Sequence, residues 1–261
     1  KKRLADLSTQ FSNNVLDATH GWSKHIEDVS ELAGVPASTL ASYQQLAEAK
    51  GETGYLISLD IPAYLPLMQY CDNASLREEM YTTYTTRASD QGPNSGTWDN
   101  SLIMDEILAL RAELAELLGF DNYSQRSLAT KMADSPEQVL DFLNDLADKS
   151  LAVAKADFQE LLDFAKSKGA ESLRAWDVPY YSEKLRLEKY ALSQEELRPY
   201  FPAEKVIEGL FTVANKLFDV SFEAVSDFDS WHPDVKLFQI IRDGNTVARF
   251  YLDLFAREHK R

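Results

Sequence analysis

Only one cysteine, Cys71, occurs in the chain, so no internal disulfide can form, and the sequence fits a reducing compartment such as the cytoplasm. Glycine and proline are sparse, ten and nine in 261 residues, which excludes collagen-like and low-complexity classes. No stretch reaches the ~20 consecutive apolar residues of a membrane span, and the N-terminal KKRLADLSTQ has positive charge without the apolar stretch of a secretory signal. Basic residues are few: 27 face 42 acidic ones, for a net charge of −15. Such a field repels the phosphates of nucleic acid and of anionic lipid, so the expected partners include no nucleic acid and no membrane.

Reactive constellations are also missing. A helical zinc hydrolase needs two histidines at i and i+4, stacked on one helix face, with a glutamate beside the first as base. His20 and His25 are five apart and would diverge by about 140° on a helix. His232 lies in the turn WHPDV, and His259 stands beside Glu258 in the charge run REHKR. No phosphate-binding glycine loop and no nucleophile elbow appear. Carboxylate pairs such as Asp105-Glu106 and Glu195-Glu196 read as exposed helix faces, and Cys71 as a buried small hydrophobe. Trp231, Tyr180-Tyr181 and Tyr200-Phe201 read as packing aromatics at cores or helix junctions. The residues present assign no catalytic and no metal-binding position.

What the chain does have is helical periodicity. Leu4, Leu7, Phe11 and Val15 predict an amphipathic helix over the first ~20 residues. No capping residue precedes it, and Lys1, Lys2 and Arg3 place positive charge at the positive end of its dipole, so the helix is expected to begin upstream. Pro36 opens a second helix to about Lys50, and YLISLD reads as a short strand. Ser75 and Glu78 suggest a capping box for a helix facing Leu76, Met80 and Tyr84, broken in ASDQGPNSG. A helix with apolar Leu110, Leu114, Leu117 and Leu118 spans about 100–118 and stops at Gly119. A shorter one follows at about 123–133. The tetrapeptide SPEQ at 135–138 is the clearest start, introducing one long helix or two collinear ones to Gly169. Further helices are expected at about 178–190 and 203–218.

The last forty residues change period. SFEAV, KLFQIIRD and TVARFYLDLF read as strands, the last two joined in a hairpin around Gly244-Asn245. Along the final strand Phe250, Leu252 and Leu254 alternate with Arg249, Tyr251 and Asp253, giving one core face and one wetter face. The predicted fold class is mostly α: a multi-helix scaffold over 1–220, then a small antiparallel sheet over 221–261. An isolated hairpin with an aromatic edge is marginal in water, so the sheet is expected to continue beyond Arg261.

The stretches LDIPAYLPLMQYCDNASLREEMYTTYTTRASDQGP, WDNSLIMDEILALRAELAELLGF, SLATKMAD, WDVPYYSEK, LRPYFP, WHPDV and FYLDLFAREHKR together resemble the thimet oligopeptidase family of zinc metallopeptidases. The likeness covers essentially the whole chain but only the middle of those proteins. It implies a mostly helical, two-lobed fold whose deep channel admits short peptides, and hydrolysis by zinc-activated water with a glutamate base. It also implies that the His-Glu-x-x-His helix and a further glutamate lie C-terminal to the point matching Arg261, so no zinc ligand falls in this chain. The hairpin at 236–254 matches the start of the sheet bordering the channel, which makes Arg249, Tyr251 and Asp253 the cleft-facing candidates. The implied partners are short peptide substrates and the remainder of the same polypeptide. Two other readings stand beside this one: a non-catalytic helical module holding basic peptides or a partner protein, and an enzyme using Cys71.

Overall fold

The computed structural model describes residues 1–191 and 194–255. The chain divides into two compact units, Lys1–Lys189 and Tyr190–Arg261. The change from helix to strand at 220/221 falls inside the second unit. Helices dominate, with a small antiparallel sheet near the C-terminal end, as the periodicity predicts.

The first unit runs α1 (Lys2–His20), β1 (Ser23–Ile26), α2 (Ala37–Ala49), β2 (Tyr55–Ser58), α3 (Ile61–Tyr70), α4 (Ala74–Thr85), α5 (Ser101–Leu117), α6 (Tyr123–Leu128), α7 (Pro136–Ser167) and α8 (Val178–Tyr190). Strands β1 and β2 pair antiparallel, Ser23 opposite Ser58. Their apolar residues Ile26 and Ile57 join Tyr43 of α2, Leu67 and Met68 of α3, and Leu76 and Met80 of α4 in the main core. Each such side chain fully removed from water contributes about 1.5–3 kcal/mol, and Tyr43 is tolerated there because its hydroxyl donates to Ala63 O at 2.6 Å. A smaller core joins α1 to α5 through Leu7, Ile103 and Ile107. Gly34 permits a close backbone approach: at φ +88°, a Cβ there would stand 2.2 Å from Tyr70 O.

Charged groups hold the segment leading into α8 against α3 and α4. Arg77, 2% exposed, donates from Nη2 to Asp177 Oδ1 and from Nη1 to Cys71 O, both at 2.6 Å. Asp177 Oδ2 accepts from the backbone N–H of Arg174 at 3.2 Å. The guanidinium lies 4.0 Å from the centre of the Tyr180 ring, whose π face covers it. Tyr180 in turn donates to Asp72 Oδ1 at 2.6 Å, and Lys184 donates to the same oxygen at 3.3 Å. Burial pushes the Asp72 carboxyl upward, but these two donors and the nearby cations outweigh it and leave its pKa below the ordinary value. One turn further, the buried carboxylate of Glu183 accepts from Tyr70 at 3.1 Å and from Arg186 at 2.5 and 3.0 Å.

The second unit contains α9 (Gln194–Leu197), α10 (Ala203–Phe218) and the strands β3 (Ser221–Val225), β4 (Lys236–Arg242) and β5 (Asn245–Leu252), in the order β3-β4-β5, all antiparallel. Phe211 of α10 stacks on Phe222 of β3, with ring centres 4.2 Å apart and planes 6° from parallel. It meets Phe238 and Phe250 edge-on at 5.0 and 6.3 Å. Phe222, Phe238 and Phe250 are the aromatic part of the sheet's apolar face, and Phe211 packs onto it from α10. Between β4 and β5 the register shifts at Ile240/Ile241, where Ala248 and Thr246 are the successive partners, so Val247 bulges from β5.

Several local expectations need correction. The α4 cap is Asn73, whose Oδ1 accepts from Leu76 N at 3.2 Å, so Ser75 already lies inside the helix. On α5 the buried residues are Ile103, Ile107 and Ala115, while Leu117 and Leu118 face water. The segment after Leu128 leaves the helix earlier than expected; of the two arrangements open for the stretch that starts at SPEQ, the single long helix is the one observed. The hairpin turn sits one residue earlier: Asp243 and Gly244, with φ of +51° and +74°, are its central pair. Leu254 lies past the end of β5 and is half exposed, and Tyr200 and Phe201 are exposed rather than packed. Strand β1 has no counterpart in the sequence reading. His259 and Glu258 lie outside the described residues.

Removing either half of the Arg77–Asp177 pair strands a charge in a dry site. Arg77→Met and Asp177→Ala are each expected to lower unfolding free energy by about 3–5 kcal/mol, and Arg77→Lys by a large part of that, because a lysine cannot reach both acceptors at once. Urea titration followed by circular dichroism measures this; a loss below about 1 kcal/mol would refute the anchoring role.

Candidate functional site

The histidines are dispersed. His20 ends α1 and lies 3.7 Å from Asp60 Oδ1; His25 is on β1, with Nε2 against Thr53 O; His232 accepts from Asp234 N at 3.2 Å. His20 and His25 therefore sit on different elements with different partners. Among the described residues no group of three His, Cys, Asp or Glu side chains is placed to hold a metal ion. The donor set of the described residues does not fit a zinc site.

Cys71 ends α3 in the main core, 0% exposed, its Sγ donating to Glu31 O at 3.4 Å. Burial raises the thiol pKa above its ordinary value, which suppresses the nucleophilic thiolate. These are the properties of a packing residue.

The sheet of the second unit offers two different surfaces. Facing away from α10, Glu223, Gln239 and Arg249 lie in a row across the three strands, since Glu223 pairs with Gln239 and Gln239 with Arg249 in register. Gln239 Nε2 donates to Glu223 Oε2 at 3.1 Å. One pair along, Tyr251 stands opposite Leu237, which is buried. The loop 226–235 covers this end: Phe228 and Trp231 lie 5.9 and 5.0 Å from the Tyr251 ring. Trp231 Nε1 donates to Asp253 Oδ2 at 3.1 Å, and Tyr251 OH donates to Asp229 O at 3.3 Å. Thus Tyr251 and Asp253 hold a loop, while Arg249 stands on the exposed part of the face.

On the α10 side a groove of about 370 Å³ is lined by Ile207, Phe211, Phe222 and Phe238, with Glu204, Glu208 and Lys236 at its rim. Lys236 Nζ lies 3.7 Å from Glu204 Oε1. Sequence reasoning anticipated the aromatic face but not this groove, because its lining brings Ile207 and Phe211 of α10 together with Phe222 and Phe238, which lie more than ten residues later in the chain. No helix among the described residues is long and apolar enough to cross a membrane.

The architecture is thus a helical scaffold carrying a small antiparallel sheet, without a metal-binding cluster among its described residues. The family model of peptidase family M3 matches residues 67–261. The chain belongs to peptidase family M3. It is 56% identical to oligopeptidase A of Salmonella typhimurium and 55% identical to oligopeptidase A of Escherichia coli, in each case over 99% of this chain and 38% of the relative. Dipeptidyl carboxypeptidase of Escherichia coli is 32% identical over 98% of this chain and 38% of the relative. The chain therefore spans about 38% of the length of these curated relatives.

The buried, high-pKa thiol yields a direct expectation. In the native protein Cys71 should react with an aromatic disulfide reagent at least ~100-fold more slowly than in denaturant, where labelling reaches one equivalent. Rapid native labelling would restore Cys71 as a candidate nucleophile.

Proposed function

We propose that this chain is the central segment of a zinc-dependent oligopeptidase that hydrolyses short peptides in the cytoplasm, and that its own part is to build the wall of the substrate channel. The observation that carries this reading is identity above 50% to oligopeptidase A along the whole chain, combined with coverage of little more than a third of those proteins. Residues 1–220 serve as the helical scaffold and 221–261 as the beginning of the sheet that borders the channel. Zinc and its ligands belong to the part of the polypeptide outside these residues. A rigid wall contributes by excluding folded substrates and by holding an extended peptide in position, which converts binding energy into orientation.

Within this wall Arg249 is the direct substrate contact, a cation suited to a peptide carboxylate or carbonyl. Tyr251 and Asp253 border the cleft by fixing Trp231 and the 226–235 loop. The cytoplasmic location follows from the reducing-compartment composition.

Two measurements test the proposal. The protein at its full encoded length is expected to cleave a quenched fluorescent peptide of about ten residues, to lose that activity to a chelator and to regain it with zinc, whereas the 261-residue chain binds no stoichiometric zinc and does not cleave. Arg249→Ala in the full-length protein should raise KM roughly tenfold, about 1.5 kcal/mol, with kcat little changed. Chelator-insensitive cleavage, or robust turnover by the 261-residue chain, would overturn the reading.

A further inference from the structure

Helix α10 carries more apolar surface than the sheet beside it uses. Ile207 and Phe211 face the strands, Phe211 stacking on Phe222. Next to them runs a second stripe, Val206, Leu210, Val213 and Leu217, each 51–69% exposed. Their spacing of 4, 3 and 4 residues is that of the a and d positions of a coiled coil. At 100° per residue the four fall within about 60° of the circumference, the seam on which one helix receives another. Gly209 lies about 40° from the edge of this seam. A glycine in the middle of a 16-residue helix is a few-fold less favourable than alanine, and its use there is to let another backbone come close. Apart from the helix's own backbone, no atom among the described residues comes within 4 Å of where a Cβ on Gly209 would stand.

Charge fixes the chemistry of the occupant. On the glycine side the seam is bordered by Lys216 and Lys205, about 60° and 80° from its edge, where the flanking positions of paired helices form ion pairs. The carboxylates of the helix, Glu204 and Glu208, lie at least about 120° from the seam, at the rim of the groove on the sheet side. Lys216 has no ion-pair partner among the described residues, and Lys205 has only Glu208 at 3.7 Å, both largely exposed. The helix dipole favours a cation at Lys216 in the last turn but opposes one at Lys205 in the first, so local helix physics does not account for the two together. A second copy laid antiparallel on the same seam would set this border against its own lysines, which repel. Acidic side chains are what the border attracts. Most of each relative's length lies outside the stretch that matches this chain, which supplies a tethered source at high effective concentration.

We propose that the Val206–Leu217 seam of α10 is an intramolecular docking surface, covered by an amphipathic helix with an acidic border from the part of the polypeptide outside these 261 residues. The inference rests on the reading of this chain as one stretch of a longer M3 protein, and adds which surface receives the remainder and what chemistry recognises it. The incoming helix sets apolar side chains between the four seam residues, brings its backbone close at Gly209 and places carboxylates against Lys205 and Lys216.

Hydroxyl-radical footprinting and carbodiimide cross-linking of the protein at its full encoded length, both read by mass spectrometry, test it. In the monomer Leu210 and Leu217 are expected to be oxidised at least ~10-fold more slowly than in denatured protein, and Lys216 to be joined to a carboxylate outside residues 1–261. Gly209→Leu and, separately, Lys205→Glu with Lys216→Glu should each raise labelling of Leu210 at least ~3-fold while Leu67 and Met68 of the main core stay protected. Protection of Leu210 and Leu217 below tenfold in the wild-type monomer overturns the proposal, and needs no variant to fold. Absence of any product joining Lys216 to an outside carboxylate overturns the acidic occupant, and unchanged labelling in either variant overturns the recognition assigned to it. Protection that rises with concentration together with a doubled mass by light scattering also overturns the proposal, in favour of a second copy. Peptide cleavage measured on the same preparation separates the two claims: protection without cleavage removes the peptidase reading and leaves the interface, and cleavage without protection does the reverse.

Discussion

The first unit depends on one buried cation. Arg77 reaches back to Cys71 O at the end of α3 and across to Asp177, and so joins residues 100 apart in the chain at a single guanidinium. Its fork geometry allows two acceptors and a ring face to be satisfied at once, which a lysine could not do. Around it the interactions become progressively more exposed, from Asp177 through Tyr180 to Asp72 and Lys184. A buried pair of this kind adds little net stability over an apolar equivalent, but it admits only one arrangement of the segment that leads into α8. Specific placement, rather than extra stability, is what the proposed role as a channel wall would require.

The second unit uses a different means. Its sheet has three strands and few fully buried residues, and what orders it is the aromatic stack between Phe211 and Phe222 with Phe238 and Phe250 around it. Aromatic rings supply large contact area with little rotamer entropy to lose, which suits a small sheet on one helix. The opposite face is left to polar residues, and its far end is closed by a loop through Trp231. The two faces thus differ in character, an aromatic one that holds the sheet to α10 and a polar one that stands open over Glu223, Gln239 and Arg249.

Much of this was legible where the physics is local. Ser135, Pro136 and Gln138 announce α7 because capping needs only neighbouring residues: Ser135 Oγ accepts from Gln138 N at 3.2 Å, and Gln138 returns the bond by accepting from Asp134 N at 2.7 Å. The alternation in β5 likewise places Phe250 on the apolar face without reference to anything distant. Strand β1 was not legible, since SKHI is four residues with little alternation and becomes a strand only through pairing with β2, more than thirty residues later. Two neighbouring polar residues can compete for one cap, so Asn73 displaced Ser75. The duties of Tyr251 and Asp253 depend on a loop some twenty residues earlier, and the period of a strand carries no trace of that.

The irregularity at Val247 has a geometric consequence for the sheet margin. A ladder stays straight only where the residue count on both strands matches, and the extra residue bends β5 just after its turn. Beyond it Ala248–Leu252 remain in even register, about 17 Å of backbone at the usual rise per residue. Any extended chain lying along that margin is therefore measured against five residues, with a kink marking where the ruler ends.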